Sequence, residues 1–384
     1  MAARLDGGLT AGLRHRSGRH VPPLDSFATS GWRTRVGAGL DGLILRGASA
    51  VIDRTIMPPP ERAGDLRESG AFYRSDGLVQ EPRRFFGFLD EGLEAPWVRT
   101  STLRSRWPGA ERVAIRFHSR YAPFNPRHQA TYADQVENHT VRVELYRHAE
   151  GRARGTVIAL HGFGTGYPRI DAPTLLARDL FAMGLDVALP TLPLHGPRTP
   201  RGARFSGQAF AVPDVTQLNE AMGQAVHDLA SFIAWLRERS ARPVGMIGLS
   251  LGGYMSALMA SLIDDLDFVV PMAAPVCFGH LAHRFMARSS RYRDDPSAAL
   301  GLDELRSAFR VHSPLSHRRR LSGDRILIIA GAGDRIVPPE HPTWLWEHWQ
   351  RPRMHWFSGS HLAPFGRRGV LDELRSFLRH LGVA

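Results

Sequence analysis

Short apolar runs alternate with helical patterns over most of this chain, and this alternation restricts the folds that it can adopt. After residue 110, apolar runs of strand length end in turn residues, as in "GTVIALHG" (155–162), "VGMIGLS" (244–250) and "RILIIAGAG" (325–333). Such runs are typical of strands that are buried on both faces of a parallel sheet. Between them, apolar residues recur at steps of three and four, most clearly over 214–238, which predicts helices packed on the sheet. The sequence therefore predicts an α/β fold with a mostly parallel sheet and helices on both faces.

The remaining elements of this pattern are located in the same way. Further strands are predicted at 112–119, 141–148, 185–192 and 267–274, and further helices at 172–183, 252–263, 340–350 and 368–381. Near residue 110 the sequence changes from a mixture of Arg, Gly, Pro and scattered apolar residues to alternating strand and helix patterns. We therefore divide it into an N-terminal accessory segment, residues 1–105, and an α/β domain, residues 106–384. In such sheets ligands bind beyond the carboxyl ends of the strands, so the residues there are candidates for a functional site.

The N-terminal segment, residues 1–105, contains no repeat and no catalytic motif, but it is too apolar for a disordered tail. A helix is predicted at 38–54, and apolar or aromatic side chains recur through the segment: Leu43, Ile44, Val51, Ile52, Phe72, Phe85, Phe86 and Phe88. We expect the segment to pack beside the α/β domain and to shape or cover the entrance of a pocket. The alternative is a peripheral membrane contact, with the helix lying on lipid. The few basic residues of that helix favour packing.

The formal net charge of +12 comes from a chain without lysine, in which all 49 basic residues are arginines. The arginines are scattered, and the short runs at 317–320 and 366–368 are not flanked by a nucleic-acid-binding motif, so no nucleic-acid partner is expected. The single cysteine, Cys277, excludes an internal disulfide, and the N-terminus lacks the apolar core of a secretory signal. The most apolar early stretch, "VGAGLDGLILRGASAVI", contains Asp41 and Arg46 and is too short to span a bilayer. We expect a cytoplasmic protein without a transmembrane segment; the composition does not indicate its oligomeric state.

One pentapeptide at the carboxyl end of a predicted strand, "GLSLG" (248–252), has the spacing G-x-S-x-G. Glycines on both sides relieve the clashes of a tight strand-to-helix turn and leave the hydroxyl of Ser250 facing a substrate at a helix N-terminus. The stretch resembles the nucleophile elbow of the α/β-hydrolase superfamily. The alternative is a glycine-bounded bend with a capping serine. The resemblance implies an α/β-hydrolase fold over about 110–384 and a nucleophilic role for Ser250.

In that superfamily, the acid and the histidine of a Ser-Asp-His triad follow the nucleophile in the chain. Asp334 stands in the turn just after the predicted strand at 325–333, where the superfamily commonly places its acid. His361 follows the last strand-like run, whereas His355 falls within that run and Glu340 is expected to begin the preceding helix. The resemblance thus implies Asp334 as the acid and His361 as the base. For each of them the alternative is a solvated turn residue.

Two backbone N–H groups are candidates for an oxyanion hole, which stabilises the tetrahedral intermediate of acyl transfer. One belongs to Leu251, directly after Ser250. The other belongs to Phe163 in "HGFG" (161–164), a stretch after a predicted strand that resembles the His-Gly-X oxyanion loop of the superfamily. The alternative is a glycine-rich turn without such a role.

Three further residues, His161, His195 and Arg198, are candidates for the substrate pocket. The stretch "LPTLPLHGPRTP" (189–200) follows another strand at the same end of the sheet, so His195 and Arg198 are expected near the pocket mouth. This stretch resembles a loop in some α/β hydrolases, including the group of domain-containing protein 18. The alternative is a proline-stiffened surface loop.

The resemblance implies a serine hydrolase of the carboxylesterase type, which acts on a small-molecule acyl ester through an acyl-enzyme intermediate. Many superfamily members place a lid or part of the substrate pocket in the interval that is here about 276–320, within the catalytic domain 106–384. The sequence contains no metal-ligand cluster and no phosphate-binding loop, so neither a metal nor an organic cofactor is expected. The alternatives are a peptidase or an acyltransferase of the same fold, or a non-catalytic binding module.

Overall fold

A nine-stranded mixed sheet organises the part of the chain that the computed structural model describes, namely residues 13–14, 20–21, 31–55, 63–211, 214–289, 292, 300–363 and 366–384. Two short strands, β1 (Leu13–Arg14) and β2 (His20–Val21), pair separately. The strands of the large sheet are β3 (Arg99–Leu103), β4 (Ala110–His118), β5 (Thr140–His148), β6 (Gly155–Leu160), β7 (Leu185–Pro190), β8 (Val244–Leu249), β9 (Phe268–Met272), β10 (Leu327–Gly331) and β11 (Arg353–Phe357). Their order across the sheet is β11-β10-β9-β8-β6-β7-β5-β4-β3.

The central strands of this sheet are buried on both faces. The strands from β11 to β7 pair in parallel, and β5, β4 and β3 extend the sheet in antiparallel fashion. Along β6, Ile158 and Leu160 face one hydrophobic core, while Val157 and Ala159 face the other. All four are at most 1% exposed. This double burial explains why these strands are continuously apolar in the sequence, and the predicted α/β fold is confirmed.

Helices cover both faces of the sheet. They are α1 (Trp32–Thr55), α2 (Ala63–Ala71), α3 (Asp76–Gln80), α4 (Gln129–Asp134), α5 (Pro168–Thr174), α6 (Ala177–Ala182), α7 (Val215–Arg239), α8 (Leu251–Leu262), α9 (Phe278–Met286), α10 (Leu302–Ala308), α11 (Glu340–His348) and α12 (Arg367–His380). Residues of α7, α8 and α11 belong to one core, and residues of α5, α6 and α12 belong to the other. Within the described ranges, none of the helices combines the length and the apolar character needed to cross a membrane.

The helix predicted at 38–54 begins earlier, at Trp32, and several short elements were not predicted. Two further differences have a physical reason in the structure. The helix predicted at 172–183 is two short helices, α5 and α6, because Pro173 lies near the end of α5 and Leu176 takes a left-handed conformation with φ of 56°. β3 is missing from the predictions because four of its five residues are exposed, so it has no apolar run. The predicted division between residues 105 and 106 falls between β3 and β4, which pair with each other, and it stays a prediction.

Part of the N-terminal segment packs into the core beside the sheet. Tyr73, Phe85 and Phe86 are at most 2% exposed and belong to the same hydrophobic core as α7 and α8. The Tyr73 hydroxyl donates a hydrogen bond to Glu220 of α7, which also accepts one from the Tyr121 hydroxyl at 2.8 Å. These contacts agree with the expected packing of the segment beside the α/β domain.

The other apolar residues of the segment have different surroundings. Phe88 is partly buried against the same core, whereas Leu43 and Phe72 are exposed. Three further side chains lie outside the described ones: Ile44, Val51 and Ile52. The apolar content of the segment is therefore divided between the core and the surface.

Replacing Phe86 by alanine should lower the free energy of unfolding by about 3–5 kcal/mol, because the change removes a buried aromatic ring and leaves a cavity. Urea unfolding followed by circular dichroism measures this difference. Trp97→Ala is the matched control, since Trp97 is exposed, and it should change the free energy of unfolding by less than about 1 kcal/mol. A Phe86→Ala protein as stable as the wild type would contradict the packing of the Phe86 ring in the core.

Candidate active site

Ser250 stands on a strained turn between β8 and α8. Its φ and ψ are 55° and −114°, a combination that residues other than glycine rarely adopt. A Cβ atom at Gly248 would lie 2.1 Å from the carbonyl oxygen of Gly252, and one at Gly252 would lie 2.1 Å from that of Leu160. The turn itself therefore requires the glycine spacing seen in the sequence. The Ser250 N–H donates to the Met272 carbonyl oxygen at 2.9 Å, and Ser250 is half-buried.

His361 and Asp334 form a hydrogen-bonded pair. Nδ1 of His361 donates to Oδ2 of Asp334 at 2.6 Å, and the two side chains are 9% and 2% exposed. The other oxygen, Oδ1, accepts from the N–H groups of Ile336 and Val337 at 3.0 and 2.7 Å. Because a carboxylate only accepts hydrogen bonds, Nδ1 must carry the proton. In the neutral ring Nε2 is therefore the nitrogen that is free to accept one.

The surroundings of His361 favour its protonated form. Burial lowers its pKa, but the charge of Asp334, the hydrogen bond to that carboxylate and the charge of Asp41 together hold the pKa above its ordinary value. Burial also raises the pKa of Asp334, against the opposing charge and hydrogen bond of His361. The imidazole is therefore a stronger base than an isolated one.

The predicted nucleophile, acid and base all lie at one edge of the sheet. Ser250 follows β8, Asp334 follows β10 and His361 follows β11. These strands and β9 are neighbours in the parallel part of the sheet, so their carboxyl ends meet at the same edge, where α/β folds bind ligands. A hydrogen bond joins the turns after β10 and β11: the Gly333 N–H donates to the Gly359 carbonyl oxygen, with 2.7 Å between nitrogen and oxygen.

A buried carboxylate that was not among the predicted site residues joins these two turns. Asp41 of α1 is 0% exposed. Its Oδ1 accepts from the Ser360 hydroxyl at 2.8 Å and from the Leu362 N–H at 3.2 Å. Its Oδ2 accepts from the N–H groups of His361 and Arg335 at 3.0 and 3.1 Å. The sequence signal for this residue is a charged side chain within an apolar stretch, where burial requires hydrogen-bond partners.

His161 is buried and shapes the loop that follows β6. Its Nδ1 donates to the Gly162 carbonyl oxygen at 2.8 Å, and its Nε2 accepts from the Leu192 N–H at 3.0 Å. Burial lowers the pKa of His161 to about 4, so the ring is neutral near neutral pH. Since both ring nitrogens are used within the protein, His161 supports the loop and presents no free nitrogen to a substrate.

The two N–H groups predicted for an oxyanion hole belong to elements that adjoin Ser250. A Cβ atom at Gly162, next to Phe163, would lie 3.6 Å from Cβ of Ser250. Leu251 is the first residue of α8, so its N–H has no acceptor within the helix. Neither the Phe163 N–H nor the Leu251 N–H donates a hydrogen bond to another residue in the described ranges. Both therefore remain candidates for an oxyanion hole.

His195 and Arg198 lie inside the protein, and their burial does not favour the expected place at a pocket mouth. Arg198 is 0% exposed, and its guanidinium donates to the Asp228 carboxylate at 2.7 Å. It also donates to the carbonyl oxygens of Asn138 and Thr191 at 2.7 and 3.0 Å. His195 is fully buried as well, and burial lowers its pKa to about 3. The physical reason is that a carboxylate from α7 neutralises the guanidinium, so Arg198 can be buried with its charge paired.

Comparison with known proteins identifies the family. A family model described as "Alpha/beta hydrolase domain containing 18" matches residues 118–278, and one described as "Serine hydrolase (FSH1)" matches residues 215–370. The chain belongs to the α/β-hydrolase superfamily. The resemblance of residues 248–252 to the nucleophile elbow of that superfamily pointed to this membership. Both family models describe hydrolases, which supports hydrolase activity for this superfamily member.

Relatives and a solved structure extend the similarity over more of this α/β hydrolase. "Uncharacterized protein MT2702" of Mycobacterium tuberculosis is 30% identical over 321 residues, which are 81% of this chain and 73% of that protein. "Uncharacterized protein Rv2627c" of the same species is 33% identical over 246 residues, which are 62% of this chain and 57% of that protein. Acetyl xylan esterase 1 from Thermoanaerobacterium sp. has a similar fold, with a TM-score of 0.56 and 15% identity over 79% of this chain and 94% of that chain.

Asp334→Asn should lower the pKa of His361, because the variant loses both the negative charge and the carboxylate acceptor of Nδ1. NMR titration of the His361 ring, assigned from the spectrum of His361→Gln, measures this pKa in both proteins. Glu340→Gln is the matched control, because Glu340 begins α11 and lies outside the pair. An unchanged His361 pKa in Asp334→Asn would contradict the hydrogen-bonded pair.

Proposed function

We propose that this α/β hydrolase cleaves carboxylic esters through an acyl-enzyme intermediate on Ser250. The observation that carries the proposal is the 2.6 Å hydrogen bond between His361 and Asp334, at the same sheet edge as the strained turn of Ser250. A serine hydroxyl is a poor nucleophile unless a neighbouring base takes its proton. A buried histidine whose tautomer is held by a carboxylate is suited to that task.

In the acylation step, Oγ of Ser250 attacks the carbonyl carbon of the ester while Nε2 of His361 takes the hydroxyl proton. Asp334 stabilises the imidazolium that forms. The tetrahedral intermediate then collapses, the bond to the alcohol oxygen breaks, and His361 gives its proton to that oxygen. In the deacylation step His361 takes a proton from water, the hydroxide adds to the acyl carbon, and the carboxylic acid leaves as Ser250 regains its proton.

The oxyanion of both tetrahedral intermediates is assigned to the N–H groups of Leu251 and Phe163. Leu251 begins α8, where the helix dipole favours negative charge. Phe163 lies in the loop beside Ser250. Such preorganised donors stabilise the developing charge more than they stabilise a neutral carbonyl group. Neither N–H donates to another residue in the described part of the chain, which supports this assignment.

Exposed apolar side chains on the loops around the candidate site favour an ester with an apolar group. Phe163 is 40% exposed, and Leu362, next to the proposed base, is 51% exposed. A small-molecule ester that covers these side chains would bury apolar surface, which is favourable in water. We therefore propose esters with an apolar acyl or alcohol group as the substrate class.

Residues 106–384 form the catalytic domain in this proposal, with about 276–320 as its cap. The cap region contains α9 and α10. The ring centroid of Phe278 in α9 lies 4.6 Å from that of Tyr254 in α8. Because α8 begins directly after Ser250, this contact brings α9 onto the helix that starts at the proposed nucleophile.

The wild-type protein should react with a fluorophosphonate probe at Ser250, and Ser250→Ala should not react, because only an activated serine hydroxyl attacks the probe. Turnover of a panel of p-nitrophenyl esters should fall by about 10⁴-fold or more in this variant. Ser101→Ala, the same change at an exposed position of β3, is the matched control and should keep wild-type turnover. Undiminished turnover in Ser250→Ala would refute the mechanism.

The rate of ester hydrolysis should rise with pH as His361 loses its proton, since only the neutral imidazole can accept the serine proton. The pKa of His361 is held above its ordinary value, so the midpoint of the rise should lie above about 6.5. Measuring kcat/KM between about pH 5 and about pH 9 tests this expectation. A rate that is flat over that range would argue against a histidine base.

A further inference from the structure

We propose that Asp41 of α1 is a positioning residue for the reaction, because it holds the turns that carry Asp334 and His361 in one fixed arrangement. The inference rests on the proposed function. It gives the N-terminal segment a specific role, since it makes one helix of that segment part of the support of the active site.

Helix α1 packs on the two turns with one face. Thr34, Gly37 and Asp41 are buried and lie three and four positions apart, so they share that face. A Cβ atom at Gly37 would lie 2.9 Å from the backbone nitrogen of Ser360, and one at Gly333 would lie 2.7 Å from the Thr34 carbonyl oxygen. The backbones of the helix and of both turns are therefore in direct contact. α1 has no room to shift unless the turns move with it.

The carboxylate of Asp41 accepts hydrogen bonds from both turns. Three of its four donors, the Ser360 hydroxyl and the N–H groups of His361 and Leu362, belong to the turn after β11. The fourth, the Arg335 N–H, belongs to the residue directly after the proposed acid. Buried N–H groups require an acceptor, and an ionised carboxylate is the strongest one that a side chain offers. Asp41 thus fixes the backbone on both sides of the hydrogen bond that orients the imidazole.

Asp41 also places a second negative charge near the imidazole. Among the described residues, Asp334 and Asp41 are the acidic groups whose charges favour protonated His361. The Arg335 guanidinium lies near the next residue of α1, with Nη1 3.3 Å from the position of a Cβ atom at Gly42, and it is not among the charges that shift the pKa of His361. Removing the charge of Asp41 should therefore weaken the preference of His361 for the proton.

Asp41→Asn tests this role, because it keeps the shape of the side chain but removes its charge and turns one acceptor into a donor. The kcat for ester hydrolysis should fall by about 10- to 100-fold with little change in KM, as expected when a catalytic group is displaced. The midpoint of the pH profile should move to lower pH. Asp76→Asn, at an exposed position of the same N-terminal segment, is the matched control and should leave both quantities unchanged.

Ser360→Ala distinguishes the effect of the position of the turn on kcat from the effect of the Asp41 charge on the pKa of His361. It removes one of the four donors but keeps the carboxylate. The kcat should fall by about 3- to 10-fold, which corresponds to one hydrogen bond, and the midpoint of the pH profile should stay in place. If Asp41→Asn does not fold, this variant decides: a reduced kcat supports the inference, and a wild-type kcat overturns it.

NMR titration of His361 distinguishes a failure of this inference from a failure of the proposed function. If the wild-type protein hydrolyses no ester, the proposed function fails, but a lower His361 pKa in Asp41→Asn still supports the contact between Asp41 and the base. If Asp41→Asn keeps the wild-type kcat and the wild-type His361 pKa, the inference is overturned. It is also overturned if Asp41→Asn only lowers the melting temperature while the His361 pKa and the pH midpoint stay unchanged.

Discussion

Parallel pairing of β8, β9, β10 and β11 is the constraint on which the candidate site depends. The residues of β8, β9 and β10 are nearly all buried, so their side chains are committed to packing on both faces of the sheet. Reactive groups must therefore come from the turns beyond the carboxyl ends of the strands, where a side chain can leave the packed layers. Ser250, Asp334 and His361 occupy three such turns. The same pairing brings those turns to one edge.

Close backbone contacts then hold the turns at that edge. The positive φ of Ser250 costs on the order of 1–3 kcal/mol and persists only where the surroundings determine it. The surroundings of Ser250 determine its conformation, because the glycines at 248 and 252 lie against neighbouring backbone and every residue of α8 is buried. The turns after β10 and β11 meet α1 in a similar way, with Gly37 against the backbone of Ser360. Small residues at these contacts allow a rigid arrangement that larger side chains would prevent.

The features that could be predicted from the sequence have local signals. Continuous apolar runs located the central strands. Ser250, Asp334 and His361 were predicted as site residues because each follows such a run at the place where the resemblance to the superfamily implies the nucleophile, the acid and the base. β3 was missed because its exposed residues become part of the sheet only through pairing with β4. Asp41 was missed as a site residue because its donors lie about 300 positions further along the chain. Arg198 was expected at the mouth of a pocket. Its burial could not be predicted because the carboxylate that neutralises it, Asp228, comes from another element. Long-range contacts of this kind leave little trace in a local pattern.

The distance along the chain between α1 and its turns also affects the order in which the molecule can form. Asp41 is synthesised before Arg335 and Leu362, which follow 294 and 321 residues later. Closing a loop of that length costs conformational entropy, and contacts between residues so far apart tend to form late. The strands that precede β11 can therefore pair before the turn after β11 is available to α1. Only when β11 joins the sheet can α1 meet both turns that it contacts, so segments far apart in the sequence complete the candidate site together.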